Sequence, residues 1–144
     1  KGRLAAVRLN VFSDIPWERF LDLESFHGIQ FYDYTKNPKR LGKTPKNYYL
    51  TFSLSESNGP EAYRALGKGF NIAAPFSGKP RDWDRAEFMG YPLIDGDIHD
   101  YRFLDKRHVV VALEPKGLAK QDTSGFVREL WWVKIAKEST HKPI

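Results

Sequence analysis

Five apolar, β-forming runs in this chain end in clusters of polar residues, and that repeat constrains the fold more than any other feature. Residues 7–11 lead into Ser13 and Asp14, and residues 29–32 lead into Asp33, Tyr34, Thr35 and Lys36. Residues 48–52 lead into Ser53, Ser55, Glu56 and Asn58, residues 71–74 into Ser77 and Lys79, and residues 109–113 into Glu114 and Lys116. Parallel α/β folds place their chemistry where strands end, because loops and helix N-termini converge there. The repeat therefore predicts a polar face lined by Ser13, Asp14, Asp33, Lys36, Ser53, Ser55 and Glu56.

The elements between these ends alternate. Residues 4–11 (LAAVRLNV) read as a strand interrupted by Arg8 and Asn10. Pro16 then opens a predicted helix with Trp17, Phe20 and Leu21 on one face. Strands follow at 29–34 and 47–52, and a helix at 59–66 starts at Gly59-Pro60 and stops at Gly67. Further strands are expected at 70–74, 91–94 and 108–113, with 77–90 as an excursion and 95–107 as a long loop. Residues 125–135 fit neither period cleanly; Val127, Trp131, Val133 and Ile135 share one parity and favour a strand. Alternating strands and helices imply a mainly parallel α/β sheet of β-α-β units. Four to six strands fall short of a closed eight-stranded barrel, so a partial or incomplete (β/α) barrel is expected. No linker or repeat divides the chain: residues 1–136 read as one α/β domain, and 137–144 as a frayed tail.

With 144 residues and 41% hydrophobic content the chain can build a real core. No apolar run approaches the ~20 residues of a membrane span, and no signal peptide is recognisable, so a cytoplasmic location is expected. Cysteine is absent, which excludes disulfides, thiolate zinc sites and an iron–sulfur cluster held by this chain alone. The formal charge of +5 leans towards anionic partners.

Three patterns carry candidate chemistry. Lys36, Lys39, Arg40, Lys43 and Lys46 crowd one loop, flanked by Tyr32, Tyr34, Tyr48 and Tyr49. Cations neutralise phosphates and rings stack bases, so this loop is a candidate single-stranded nucleic-acid surface; its plain reading is a solvated loop. Asp95, Asp97 and His99 form the densest set of candidate metal ligands, suited to Mg²⁺, Mn²⁺ or Zn²⁺; the plain reading is turn chemistry around Gly96. The hydroxyls of Ser53, Ser55 and Ser57 precede a helix N-terminus, where a carboxylate or phosphate is well received and where capping is expected in any case. Walker and nucleophile-elbow motifs are absent.

Taken in order, Val11-Phe12-Ser13-Asp14, Tyr34-Thr35-Lys36 and Thr51-Phe52-Ser53-Leu54-Ser55 resemble the second half of a radical S-adenosylmethionine barrel of the spore photoproduct lyase type. That resemblance implies that Ser13, Asp14, Lys36, Ser53 and Ser55 face a cofactor. It also implies a cluster held by three cysteines, which this chain lacks. The chain would then be the C-terminal part of a longer protein, with an N-terminal half missing, or a domain without the radical chemistry. A second resemblance covers roughly residues 4–126. Ser13-Asp14 followed by Pro16-Trp17, Phe31-Tyr32-Asp33-Tyr34-Thr35-Lys36 followed by Pro38, Leu50-Thr51-Phe52-Ser53, and Gly90-Tyr91-Pro92 followed by Ile94-Asp95-Gly96-Asp97 are similar to a family of uncharacterised phage and plasmid proteins. It names no cofactor and leaves open whether the protein is an enzyme.

The expected function is thus an α/β domain with a strand-end site for a small anionic ligand or cofactor. The alternatives are a non-catalytic single-stranded nucleic-acid-binding module and a metal-dependent hydrolase or nuclease.

Overall fold

A computed structural model describes residues 3–137. Eight strands form one sheet: β1 (Ala5–Arg8), β2 (Ile29–Thr35), β3 (Tyr48–Ser53), β4 (Ile72–Pro75), β5 (Ala86–Phe88), β6 (Tyr91–Asp95), β7 (Val110–Leu113) and β8 (Lys134–Ile135). Their spatial order is β1-β2-β3-β4-β7-β6-β5-β8. The first six in that order are mutually parallel, and β5 pairs antiparallel with both β6 and β8. β1 and β8 stand at its two edges, so among the described residues the strands do not close, and of the expected partial barrel the structure shows a mixed, mostly parallel sheet. Helix content is low: among the described residues only α1 (Gly59–Gly67) is an α-helix, and the other helical pieces are short 3₁₀ turns. No described helix is long and apolar enough to cross a membrane. All but the first residue of the expected tail, 138–144, lies outside the described residues.

Strand alternation sorts the core into two faces. Ile72, Ala74, Val110 and Ala112 point to the α1 side, where Ala62, Ala65 and Leu66 of the helix meet them together with Phe52 and Leu93. Ala73, Val109 and Val111 point the other way, towards Tyr34, Ile94 and Leu113. The 96–109 connection covers that second face, with Tyr101 and Phe103 packed on Tyr32. Gly59-Pro60 starts α1 as predicted, because Pro lacks only an N–H that the first turn does not use.

The sequence reading fails in the connection between β1 and β2. The predicted helix there is two 3₁₀ turns, Trp17–Arg19 and Leu23–Ser25. Side chains anchor this segment to the sheet instead of a helical ladder: Trp17 Nε1 donates to Asn10 Oδ1 at 2.9 Å, and Glu18 is gripped by Arg40. Strand β7 begins later than expected because His108 takes a left-handed backbone, φ 58°, and turns its ring Nδ1 to Leu66 O at the end of α1. The predicted strand at 125–135 is reduced to a single bridge between Phe76 and Arg128, a 3₁₀ turn Leu130–Trp132, and the two residues of β8.

Candidate functional site

The C-terminal ends of β1, β2, β3, β4, β6 and β7 share one edge of the sheet. Order reverses there: β7 inserts between β4 and β6, so the chain travels one way from β1 to β4 and returns from β6 to β7. Open α/β sheets bind ligands in the crevice at such a reversal. Three adjoining recesses line this edge. One of about 580 Å³ lies beyond β4 and β7, between Ser77, Lys79, Glu114, Asp122 and Glu129. The next, of about 370 Å³, is lined by Arg8, Tyr34, Ser53, Asp100, Glu114 and Phe126 among others. The third, also about 370 Å³, is bounded by Arg8, Asn10, Ser13, Asp14, Lys36 and Ser53. We call the third the outer recess and the second the middle recess; they share Arg8, Tyr34 and Ser53.

The middle recess exists because small side chains sit at the centre of the sheet. Ser53 and Ala73 are paired in register on one face, flanked by Tyr34 on β2 and Leu113 on β7. Thr51 lies on the same face, paired with Tyr34, and keeps its buried Oγ1 without a hydrogen-bond partner among the described residues.

The polar groups of the largest recess are mostly engaged with each other. Lys79 Nζ meets Asp95 at 2.9 Å and Asp97 at 3.5 Å. Its hydrogen bond to Asp95 raises the Lys79 pKa, keeping it protonated. Ser77 Oγ donates to Glu129 and accepts from Leu130 N–H. Asp122 accepts from Ser124 and from Val127 N–H, which lowers its pKa.

The outer recess is different. Arg8 donates through Nε to Asn10 O, and its guanidinium lies 4.9 Å over the Tyr34 ring. Its terminal nitrogens have no partner among the described residues. Lys36 Nζ lies 5.4 Å over Phe126 and meets no carboxylate among the described residues. Asp14 is the one carboxylate lining this recess among the described residues, and it is fully engaged. It accepts from Thr35 Oγ1 at 2.8 Å, from Lys36 N–H at 2.8 Å and from Arg40 at 2.6 Å. Burial pushes the Asp14 pKa up, but those hydrogen bonds outweigh it and hold the carboxyl below its ordinary value.

Arg40 is the hub beneath this recess. It is 1% exposed, grips Glu18 through Nε at 2.9 Å and Nη2 at 2.8 Å, and also donates to Tyr48 Oη. Tyr48 Oη in turn donates to Asp33, which also accepts from Asn10 N–H at 2.8 Å and Asn10 Nδ2 at 3.1 Å. Burial raises the Asp33 pKa in spite of these donors.

Asp14 and Asp33 therefore act on acid stability with opposite signs. The lowered native pKa of Asp14 contributes stability that is in place above the unfolded value of 3.8 and is lost as pH falls through the native value. The raised pKa of Asp33 contributes below 3.8, and that contribution is lost as pH rises through its native value. Asp14→Asn should flatten the acid loss of stability when urea unfolding is followed from about pH 6 to about pH 2.5. An acid limb as steep as the parent's would contradict the assignment.

Of the residues predicted from sequence, Ser13, Asp14, Lys36 and Ser53 come together at the outer recess. Ser55 and Glu56 do not line it. Ser55 is buried in the β3–α1 connection, where its carbonyl accepts from Arg128, and Glu56 acts on Arg128 electrostatically. Asp33 points to the α1 side of the sheet and is sealed.

The basic loop is also divided. Arg40 is buried among carboxylates, Lys36 sits at the C-terminal edge of the sheet, and Lys46 sits beside the N-terminal ends of β2 and β3. Tyr48 faces α1's side while Tyr32, Tyr34 and Tyr49 face the other, so the four tyrosines form no single platform. Lys39 and Lys43 remain exposed.

The candidate metal set does not converge. Asp95 and Asp97 are held by Lys79, and Asp97 also accepts from Glu114 N–H. His99 stacks on Tyr101, accepts from Tyr101 N–H and faces Asp105. Among the described residues no group of three or more His, Asp or Glu side chains is arranged to hold a metal ion.

Sequence reasoning did not single out Arg8, Phe126 or Asp100 as site residues, and it named Tyr34 and Glu114 for other roles. Arg8 carried a signal: it is a charge inside an otherwise apolar strand.

A family model described as Gene product 88 matches residues 1–130. No curated protein and no solved structure matches the chain. The radical S-adenosylmethionine resemblance finds no support in these comparisons, whereas the resemblance to a phage-type family does. The chain belongs to the Gene product 88 family.

Proposed function

We propose that this Gene product 88 protein binds a small anionic molecule at the strand-end edge, with the anion in the outer recess and an attached ring in the middle one. The observation that supports this reading is a pair of cations that form no ion pair among the described residues. Arg8 and Lys36 line a recess whose one described carboxylate, Asp14, is already satisfied by Thr35, Lys36 N–H and Arg40. Each cation rests over an aromatic ring, Tyr34 or Phe126, which restricts it before any ligand arrives. Ser53 adds a hydroxyl at the junction of the two recesses. A carboxylate or phosphate suits this set, because a guanidinium offers paired donors and an ammonium a point charge. Each recess has the volume of a small-molecule site. The engaged groups of the largest recess offer less, since a ligand there would have to break existing pairs.

The test is calorimetric titration with phenyl phosphate, phenylacetate and neutral benzyl alcohol at low salt. The two anions should bind and the alcohol should not. Arg8→Gln and Lys36→Gln should each weaken the anions by about tenfold or more, the worth of one charge-assisted hydrogen bond. Equal binding of the alcohol, or unchanged affinity in both variants, would remove the reading.

A further inference from the structure

Phe12 is fully exposed, Val11 beside it is largely exposed, and both stand on the lip of the outer recess. Apolar side chains scattered singly over a surface are ordinary. Phe12 is a different case, because it lines the same recess as Arg8 and Lys36 and because the segment that carries it is pinned on both sides. Before it, Asn10 is 2% exposed; its N–H and Nδ2 donate to Asp33, and Nδ2 also donates to Ile15 O. After it, Ser13 Oγ and Trp17 Nε1 both donate to Asn10 Oδ1, and Asp14 is held by Thr35, Lys36 N–H and Arg40. The fold thus fixes the backbone around Phe12 and leaves the ring outside. A ring on a fixed segment is preorganised, because little freedom remains to be lost when a ligand lands on it. Of the two rings lining the outer recess, Tyr34 is covered on one face by Arg8 and Phe12 is open.

The adjoining middle recess is charge-balanced. Arg8 and Lys116 stand against Asp100 and Glu114, and Asp97 is held by Lys79. It therefore suits a neutral polar ring and not a second anion. We propose that the ligand of this edge is single-stranded nucleic acid. A backbone phosphate lies against Arg8 and Lys36, one base enters the middle recess, and the neighbouring base stacks on Phe12. Cations that hold the backbone beside a ring that takes a base face are the means by which unpaired strands are bound without sequence readout. A free nucleotide has one base and leaves Phe12 uncovered; a strand supplies the second. Paired bases keep their faces inside the duplex stack, so the open ring also selects against double strands. This surface takes only Lys36 from the basic loop, and uses neither Lys43 nor Lys46. The inference rests on the anion site proposed above.

The experiment is calorimetric titration at low salt with four probes: phenyl phosphate, thymidine 5′-monophosphate, tetrathymidylate, and an abasic tetramer carrying the same charge as tetrathymidylate. Tetrathymidylate should bind about tenfold more tightly than the monophosphate or the abasic tetramer, the usual worth of one stacked base. Its affinity should fall with salt, with a logarithmic slope of about −0.7 for each phosphate neutralised. Phe12→Ala should remove the advantage and leave phenyl phosphate unchanged, and Phe12→Trp should keep it. Arg8→Gln should weaken all four probes. If phenyl phosphate does not bind, the anion site itself fails and the strand inference fails with it. If phenyl phosphate binds and tetrathymidylate gains nothing over the monophosphate or the abasic tetramer, the anion site stands and the strand inference falls. A gain that survives Phe12→Ala overturns the role given to Phe12. The substitution removes a fully exposed side chain, so the variant keeps its fold, and thermal unfolding checks that it does.

Discussion

Arg40→Met is expected to cost about 3–5 kcal/mol of folding stability, the usual penalty for removing one partner of a buried ion pair. The side chain is 1% exposed and satisfies Glu18, itself almost buried, together with Asp14 and Tyr48. Methionine fills much of the volume, so the loss would come from orphaned carboxylates and not from a cavity. A domain of ordinary stability holds about 5–15 kcal/mol in total, so the variant should unfold at far lower urea. Two further results follow from the same cause. Adding Glu18→Gln to Arg40→Met should restore part of the loss, because the uncompensated charge is gone. The deficit should also narrow on acidification, since protonation removes the charges left without Arg40. A deficit under about 1 kcal/mol would place this cluster with exposed pairs, which contribute little.

That prediction could not have been made from the sequence, and the reason is physical. Arg40 stands in a run with Lys36, Lys39, Lys43 and Lys46, and a one-dimensional charge run does not reveal which cation turns inward. Its partners Asp14 and Glu18 belong to the β1–β2 connection, which is brought beside it only when β1 and β2 pair. What was legible rests on local rules. Strands β2, β3 and β6 and helix α1 lie within about a residue of the ranges read from apolar runs and from Gly59-Pro60. The strand-end mouth was legible in outline because parallel strands must all end at the same edge. It was misread in detail because polar residues were grouped by order along the chain without regard to face. Strand period two separates Asp33, on the α1 side, from Arg8, Tyr34 and Ser53 on the other. The candidate metal set is held apart for a related reason: alternation allowed Asp97 and His99 to share a face, but the chain turns at residues 96–101 and gives each a different neighbour.

The covering loop depends on one residue without a side chain. Gly96 follows β6 and packs where the 96–109 connection turns back over the sheet. A Cβ there would lie 2.4 Å from Val111 Cγ1, 2.7 Å from Leu113 Cδ2 and 2.8 Å from the Arg102 Nη1. Two of the three cannot yield easily. Val111 is a stiff β-branched residue, fully buried in the central strand β7. Arg102 is 1% exposed, donates to the carbonyls of Gly96 and His99, and pairs with Asp105 at 3.4 Å. Gly96→Ala should therefore cost about 1–3 kcal/mol, the range for forced overpacking, and fall towards its upper end because a buried charge is pushed as well. Gly59→Ala is the control: it meets nothing within 4 Å and has no left-handed backbone, so its stability should change little. Urea unfolding of the two variants reads the difference. A stability equal to that of Gly59→Ala would show that the β6–β7 turn absorbs the methyl group.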